Sequence, residues 1–226
     1  MTSKEKTRIR KKWRRWLQAI GRDIGWLLTS HDVFLAIQEA FKKNKDIRQP
    51  TLVYRWITSN YAAQVSTGVR RLVDKDTRTV SLYRLLQDIS EHPDVITRRY
   101  FVERHIRGSP KEEQADEAEL GHHDCDRFTR KGSDEVNKSK LSADQRRLRR
   151  DTRRIGTFVD KWIAHRDADQ RRFSVPTYAD VGEALRDIDQ ICCEYALLLT
   201  GSDMTTWKPV LQYDWREPLR HPWIVR

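Results

Sequence analysis

The spacing of apolar residues constrains this chain most. In every periodic segment they recur at intervals of three and four, and no stretch alternates as a half-buried strand would. Ile9, Trp13, Trp16, Ile20, Ile24 and Leu27 make one stripe, Val53, Ile57, Tyr61, Val65, Val69 and Leu72 a second, and Val181, Leu185, Ile188, Cys192, Tyr195 and Leu199 a third. Leu141, Leu148, Ile155 and Trp162 fall seven apart and make a narrower seam. This pattern predicts an all-α fold of packed helices, and a length of 226 residues predicts one domain, or at most two small ones, with enough chain for a real core.

Punctuation places the helices. A basic amphipathic helix is expected to give way at Thr29 and Ser30 to a second short one reaching Lys45, and Pro50 closes that unit. A helix from Thr51 to Val73 breaks at Asp74 to Thr79 and restarts behind Ser81, whose side-chain oxygen can hold an orphan amide hydrogen. Another runs from Val95 to Ile106 after His92, Pro93 and Asp94. Ser142 opens a capping-box pattern and Thr177 with Asp180 a second one, in a helix that Gly201 stops. The organisation read from this is residues 1–50 as basic N-terminal helices, 51–205 as a helical bundle, and 206–226 as an extended aromatic tail carrying Trp207, Tyr213, Trp215 and Trp223. Within the bundle, residues 107–140 hold nine acids and seven Lys or Arg with almost no large apolar residue, so they read as a polar, mobile insertion.

Charge narrows the partners. The net charge of +11 is concentrated in residues 1–22, with nine Lys or Arg against one acid, and in ADQRRLRRDTRR, residues 143–154, with six arginines. Lys11, Lys12, Arg14 and Arg15 on the first segment, and Arg146, Arg147, Arg150 and Arg153 on the second, are candidate phosphate contacts, joined by Arg166. The partner they fit is RNA, or DNA, with Trp13, Trp16 or Trp56 available to stack on bases; solvated helix faces and core aromatics are the plainer reading of both features. No stretch approaches a membrane span, and the start of the chain lacks the apolar run of a signal peptide. A membrane-surface role for residues 8–28 ranks last. Three cysteines, two of them adjacent, make a poor disulfide framework, so a cytoplasmic protein is expected.

VDKWIAHRDAD, residues 159–169, is the segment that can carry chemistry. His165 is the side chain whose ordinary pKa lies near neutrality, and it can take a proton from a ribose 2'-hydroxyl and return one to a leaving oxygen. At about 100° per residue, Arg154, Phe158, Lys161 and His165 share a helix face, whereas Asp160 points about 140° away. HHDCD, with His122, His123 and Cys125, matches no structural zinc spacing, and no metal or other cofactor is expected.

RRLVDKDTRTVSLYRLLQDI (residues 70–89), DKWIAHRDAD (residues 160–169) and the following YADVGEALRDIDQICCEYALLL together resemble bacterial HEPN domains, in particular the abortive-infection U-like branch, over residues 52–205. The resemblance implies an all-α bundle that dimerises and an endoribonuclease of toxin–antitoxin or phage-defence systems that needs no metal. The family motif is an arginine, four to six residues, then a histidine. By resemblance its histidine is His165, but Phe158, Val159 and Asp160 occupy the places of its arginine. Lys161 and Arg154 are the cations that remain beside His165, and Asp160 is assigned the positioning of a residue across a dimer. The competing expectation is a non-catalytic HEPN module that binds nucleic acid or a partner protein, such as an antitoxin.

Overall fold

The computed structural model describes residues 1–43, 51–130, 132–164 and 174–220. Seven α-helices are present among them and no strand is: α1 (Ser3–Lys43), α2 (Leu52–Leu72), α3 (Leu82–Glu91), α4 (Arg98–Ile106), α5 (Gln114–Asp126), α6 (Lys138–Phe158) and α7 (Tyr178–Thr200). The fold is therefore an all-α bundle. Single 3-10 turns lie at Pro93–Val95 and Glu217–Arg220, and α6 runs into a π turn at Val159–Ala164.

α1 is the spine. Its 41 residues span about 60 Å at 1.5 Å per residue, and Trp13, Leu17, Ile20, Ile24, Leu27 and Phe34 bury one stripe against α7, α2 and α3. The break expected at Thr29 and Ser30 does not occur. The Thr29 hydroxyl donates back to the Gly25 carbonyl at 2.8 Å, so it is spent inside the helix and starts no new one. α2, α3 and α7 pack on this spine, α6 packs in turn on those three helices, and the stripe on α7 is buried throughout.

Local capping set most other boundaries. Thr51, Ser81 and Thr177 cap α2, α3 and α7, and Thr177 and Asp180 complete a reciprocal capping box. Gly201 ends α7 at φ 76°, a left-handed conformation. Two starts differ from the sequence reading. α4 begins at Arg98, because Val95 closes the 3-10 turn and Thr97 caps Tyr100 N–H at 3.2 Å. α6 begins at Lys138, because the side chain of Asn137 accepts from Ser139 N–H at 3.0 Å, which leaves Ser142 inside the helix.

The polar segment 107–140, which composition reads as having nothing to bury, contains α5 packed on α4. Gly121 permits that approach, since a Cβ there would stand 3.3 Å from Val102 Cα. Cys125, Phe128 and Val136 enter the core, with the ring of Phe128 at 6.1 Å from that of Tyr195 on α7. Few apolar residues suffice because backbone bonds add anchorage: Asn137 N–H donates to Phe128 O at 2.7 Å and Val136 N–H to Pro93 O at 3.3 Å.

The tail after Gly201 crosses α1. Thr206 Oγ1 and the Trp207 backbone N–H donate to the two carboxylate oxygens of Asp189 on α7, at 2.6 and 2.8 Å. The side chain of Trp207 lies over Gly21. Tyr213 is exposed, and Trp223 lies outside the described residues.

Candidate nucleic-acid interface

The arginines of α6 fall into two sets with different surroundings. Leu141, Leu148, Ile155 and Phe158 face the core, and the cations flanking that stripe reach α7. Arg147 pairs with Asp187 and donates to Gln190 Oε1 at 2.7 Å. Arg154 pairs with Asp180 at 2.8 Å and donates to Ser174 Oγ at 2.9 Å. These two are straps between helices.

Arg146, Arg149 and Arg153 stand on the solvent side, spaced three and four apart, and none pairs with a carboxylate among the described residues. Arg150 lies beside them and holds its sequence neighbour Asp151 at 2.6 Å. Removing Arg147 and Arg154 from the predicted phosphate track leaves this outer row as the surface that can meet a polyanion.

The same partition applies to α1. Lys12 pairs with Asp88 at 2.7 Å, and Arg14 donates to Leu199 O and to the Tyr100 hydroxyl, each at 3.0 Å. Lys11 and Arg15 are exposed. Of the tryptophans proposed for stacking, Trp13 is fully buried and donates to Asp88, Trp16 is half-buried, and Trp56 is exposed.

At the end of α6 the helix widens into the π turn, which bonds five residues apart rather than four. Each residue of such a turn advances by a smaller angle, so the phase that relates Arg154 to residues beyond Val159 is lost. Trp162, predicted to continue the seam of Leu141, Leu148 and Ile155, is exposed for this reason. Asp160 accepts from Arg70 Nε at 3.4 Å, and Arg70 also approaches Asp74 at 3.7 Å. Lys161 is half-buried. Arg154 and Asp160 thus have separate partners on α7 and α2, and the structure does not join them. His165 and Arg166 lie outside the described residues.

Arg70 was not among the residues that helix periodicity picks out, because its relation to Asp160 crosses 90 positions. A second group at the same end of α7 is equally invisible in sequence. His31 Nδ1 lies 2.5 Å from the Tyr61 hydroxyl, Phe34 stacks on Tyr61 at 3.7 Å, and Tyr178 closes edge-on. Burial pushes the His31 pKa down and the Tyr61 pKa up.

Metal ligation has little to build on among the described residues. His123 is exposed and Cys125 is buried, so HHDCD does not converge. Asp88, Glu91 and His92 do converge, but Asp88 is already matched by Lys12 and Trp13, and His92 Nδ1 lies 3.0 Å from Asp88 O. Cys192 is fully buried, and burial raises its thiol pKa, so it behaves as a small apolar residue.

An all-α bundle of seven helices, with no strand among the described residues, is consistent with a HEPN-like fold. The model of the AbiU2 family of HEPN domains matches residues 10–217, and the chain belongs to that family. It is thereby a HEPN protein of the abortive-infection, defence-associated type. No curated protein and no solved structure matches the chain.

Proposed function

We propose that this AbiU2-family protein acts on RNA within a bacterial toxin–antitoxin or phage-defence system, as a metal-independent endoribonuclease that uses His165. The observation that carries the reading is the row of exposed arginines, Arg146, Arg149 and Arg153, on the helix that leads into His165. Such a row binds backbone phosphates without reading sequence.

In the reaction, His165 takes the proton of a ribose 2'-hydroxyl as that oxygen bonds to the adjacent phosphorus. The bond from phosphorus to the 5'-oxygen breaks as His165, now protonated, returns a proton to that oxygen. The products are a 2',3'-cyclic phosphate and a 5'-hydroxyl end. Lys161 and Arg166 are the cations placed by sequence beside His165 to offset negative charge developing on the phosphoryl oxygens. A second copy of the chain completes the cleft, and an antitoxin restrains it, in the cytoplasm.

One observation favours a second reading, a HEPN module that binds nucleic acid or a partner protein without cleaving. The motif arginine is absent, and Arg154, a cation that could replace it, is committed to Asp180 and Ser174. Lysine does not substitute fully for arginine, because it lacks the planar fork that grips two phosphate oxygens.

Incubating wild type and His165→Ala with total RNA in excess chelator separates the readings. The endoribonuclease predicts cleavage by wild type that falls ~10²- to 10⁴-fold in the variant, with cyclic phosphate ends. Equal cleavage by both, or none by either at high protein, rejects catalysis by His165 and leaves the binding module.

A further inference from the structure

The C-terminal end of α7 carries a second cationic feature, about 34 Å along that helix from the end where Arg154 meets Asp180. A cavity of about 300 Å³ opens there, lined by Arg14, Tyr100, Arg104, Arg107 and Thr200. Arg10 lies over the other side of this cluster, its guanidinium 3.9 Å from the centre of the Tyr100 ring.

Part of this arrangement serves the helix. Arg104 donates to Leu198 O and Leu197 O at 3.0 and 3.1 Å, and Arg14 to Leu199 O at 3.0 Å, so the last carbonyls of α7 are satisfied. Gly201 makes the approach feasible, since a Cβ at that position would stand 3.1 Å from Arg104 Nε. Capping explains two guanidinium groups and no more.

The remainder is unexplained by capping. Arg107 is exposed and makes no hydrogen bond or ion pair among the described residues. Arg14 spends two of its five N–H groups, and Arg104 Nε is buried with no partner. No carboxylate lines the cavity, and the neighbouring Glu103 is engaged by Arg99 at 2.7 Å. Three arginines thus line the cavity, with Arg10 beyond the Tyr100 ring, and no carboxylate among the described residues lines it; burial and the like charge of Arg14 hold the Arg104 pKa down to about 10. Like charges gathered in a concave, partly desolvated site repel one another, and an anion that bridges them removes that cost.

We infer that this cavity is a binding site for a phosphate group borne by a nucleotide or by the end of an RNA strand, held by Arg14, Arg104 and Arg107 with the Tyr100 hydroxyl. Guanidinium groups match phosphate oxygens in pairs, and Tyr100 accepts from Arg14 while keeping its own hydrogen to donate. The volume admits a phosphate with a sugar-sized body attached. The inference does not depend on cleavage by His165.

Calorimetric titration of the full chain tests it, with AMP against adenosine, and with a 5'-phosphorylated oligoribonucleotide against its 5'-hydroxyl counterpart. AMP is expected to bind and adenosine not, with inorganic phosphate competing. Arg107→Ala, which removes an exposed side chain with no hydrogen bond or ion pair among the described residues, should weaken AMP on the order of 10-fold, and Tyr100→Phe by a smaller factor. These two are chosen over a change at Arg104, which would also uncap α7. Binding of the 5'-phosphorylated strand alone, abolished in Arg107→Ala, also supports the site and assigns the phosphate to RNA. Absence of any phosphate-dependent binding, or affinity unchanged in both Arg107→Ala and Tyr100→Phe, overturns it. Replacing Arg146, Arg149 and Arg153 by Gln leaves AMP affinity as in wild type, so failure here is distinct from failure of the α6 interface.

Discussion

The ring of Trp207 occupies the space that a Cβ on Gly21 would need, so the tail after α7 rests directly on the backbone of α1. Gly25, one turn on, serves the same approach: a Cβ there would stand 2.6 Å from Trp207 O. Each glycine costs the helix up to about 1 kcal/mol in propensity, which close packing of the tail offsets. Gly21→Ala is expected to destabilise the protein by about 1–3 kcal/mol in urea unfolding, through overpacking. In a Trp207→Ala background the same substitution should cost far less, and equal costs in both backgrounds would show that the ring is not what the glycine accommodates.

Phe128 decides whether residues 107–140 are anchored. It is 1% exposed and meets Tyr195 and Phe101. Phe128→Ala should cost about 3–5 kcal/mol, and limited proteolysis within the segment should accelerate in the variant. Unchanged stability and unchanged cleavage would mean that the segment contributes nothing to the core.

The division of α6 arginines gives opposite effects for neighbouring residues. Arg146, Arg149 and Arg153, all replaced by Gln, should leave the melting temperature near wild type and reduce the salt slope of RNA binding by about 2, at roughly 0.7 for each phosphate no longer neutralised. Arg147→Gln should lower stability by about 0.5–1 kcal/mol, since it cuts the strap to Asp187 and Gln190. Filter binding at several salt concentrations, with thermal unfolding in parallel, checks both.

His31 predicts a pH dependence of stability. Burial is the main cause lowering its pKa below the ordinary 6.5; Arg186 adds to the shift and Asp32 opposes it. The folded state thus prefers the neutral ring. Stability from this site is present above about pH 6.5, where the unfolded histidine is also neutral, and is lost as pH falls through the folded pKa. The Tyr61 hydroxyl at Nδ1 and Tyr178 nearby do not ionise in this range. His31→Gln should flatten the decline between pH 7 and pH 5 in urea midpoints (about the window set by an ordinary histidine). An identical decline in the variant would place the titration elsewhere.

Sequence alone determined the elements whose causes are local. The stripes on α2 and α7, the caps at Thr51, Ser81 and Thr177 and the stop at Gly201 depend on residues within a few positions, which is the range over which helix hydrogen bonds and capping oxygens act. The HEPN resemblance was likewise legible, because each of the three segments that carry it is a short continuous run of sequence. Tertiary structure decided what depends on distant partners. Thr29 continues α1 where a local reading has it end, because Leu27 before it and Phe34 after it are both buried against the other helices. The π turn at Val159–Ala164 resets the phase on which the predicted face of Arg154 and Lys161 relied. A long cationic side chain has no periodicity that reveals its partner: Arg14 meets Leu199 from 185 positions away, Arg147 meets Asp187 from 40, and Arg146, next to Arg147 in sequence, pairs with no carboxylate among the described residues. Composition counts these arginines alike, and only packing separates those that hold the bundle together from those left facing solvent.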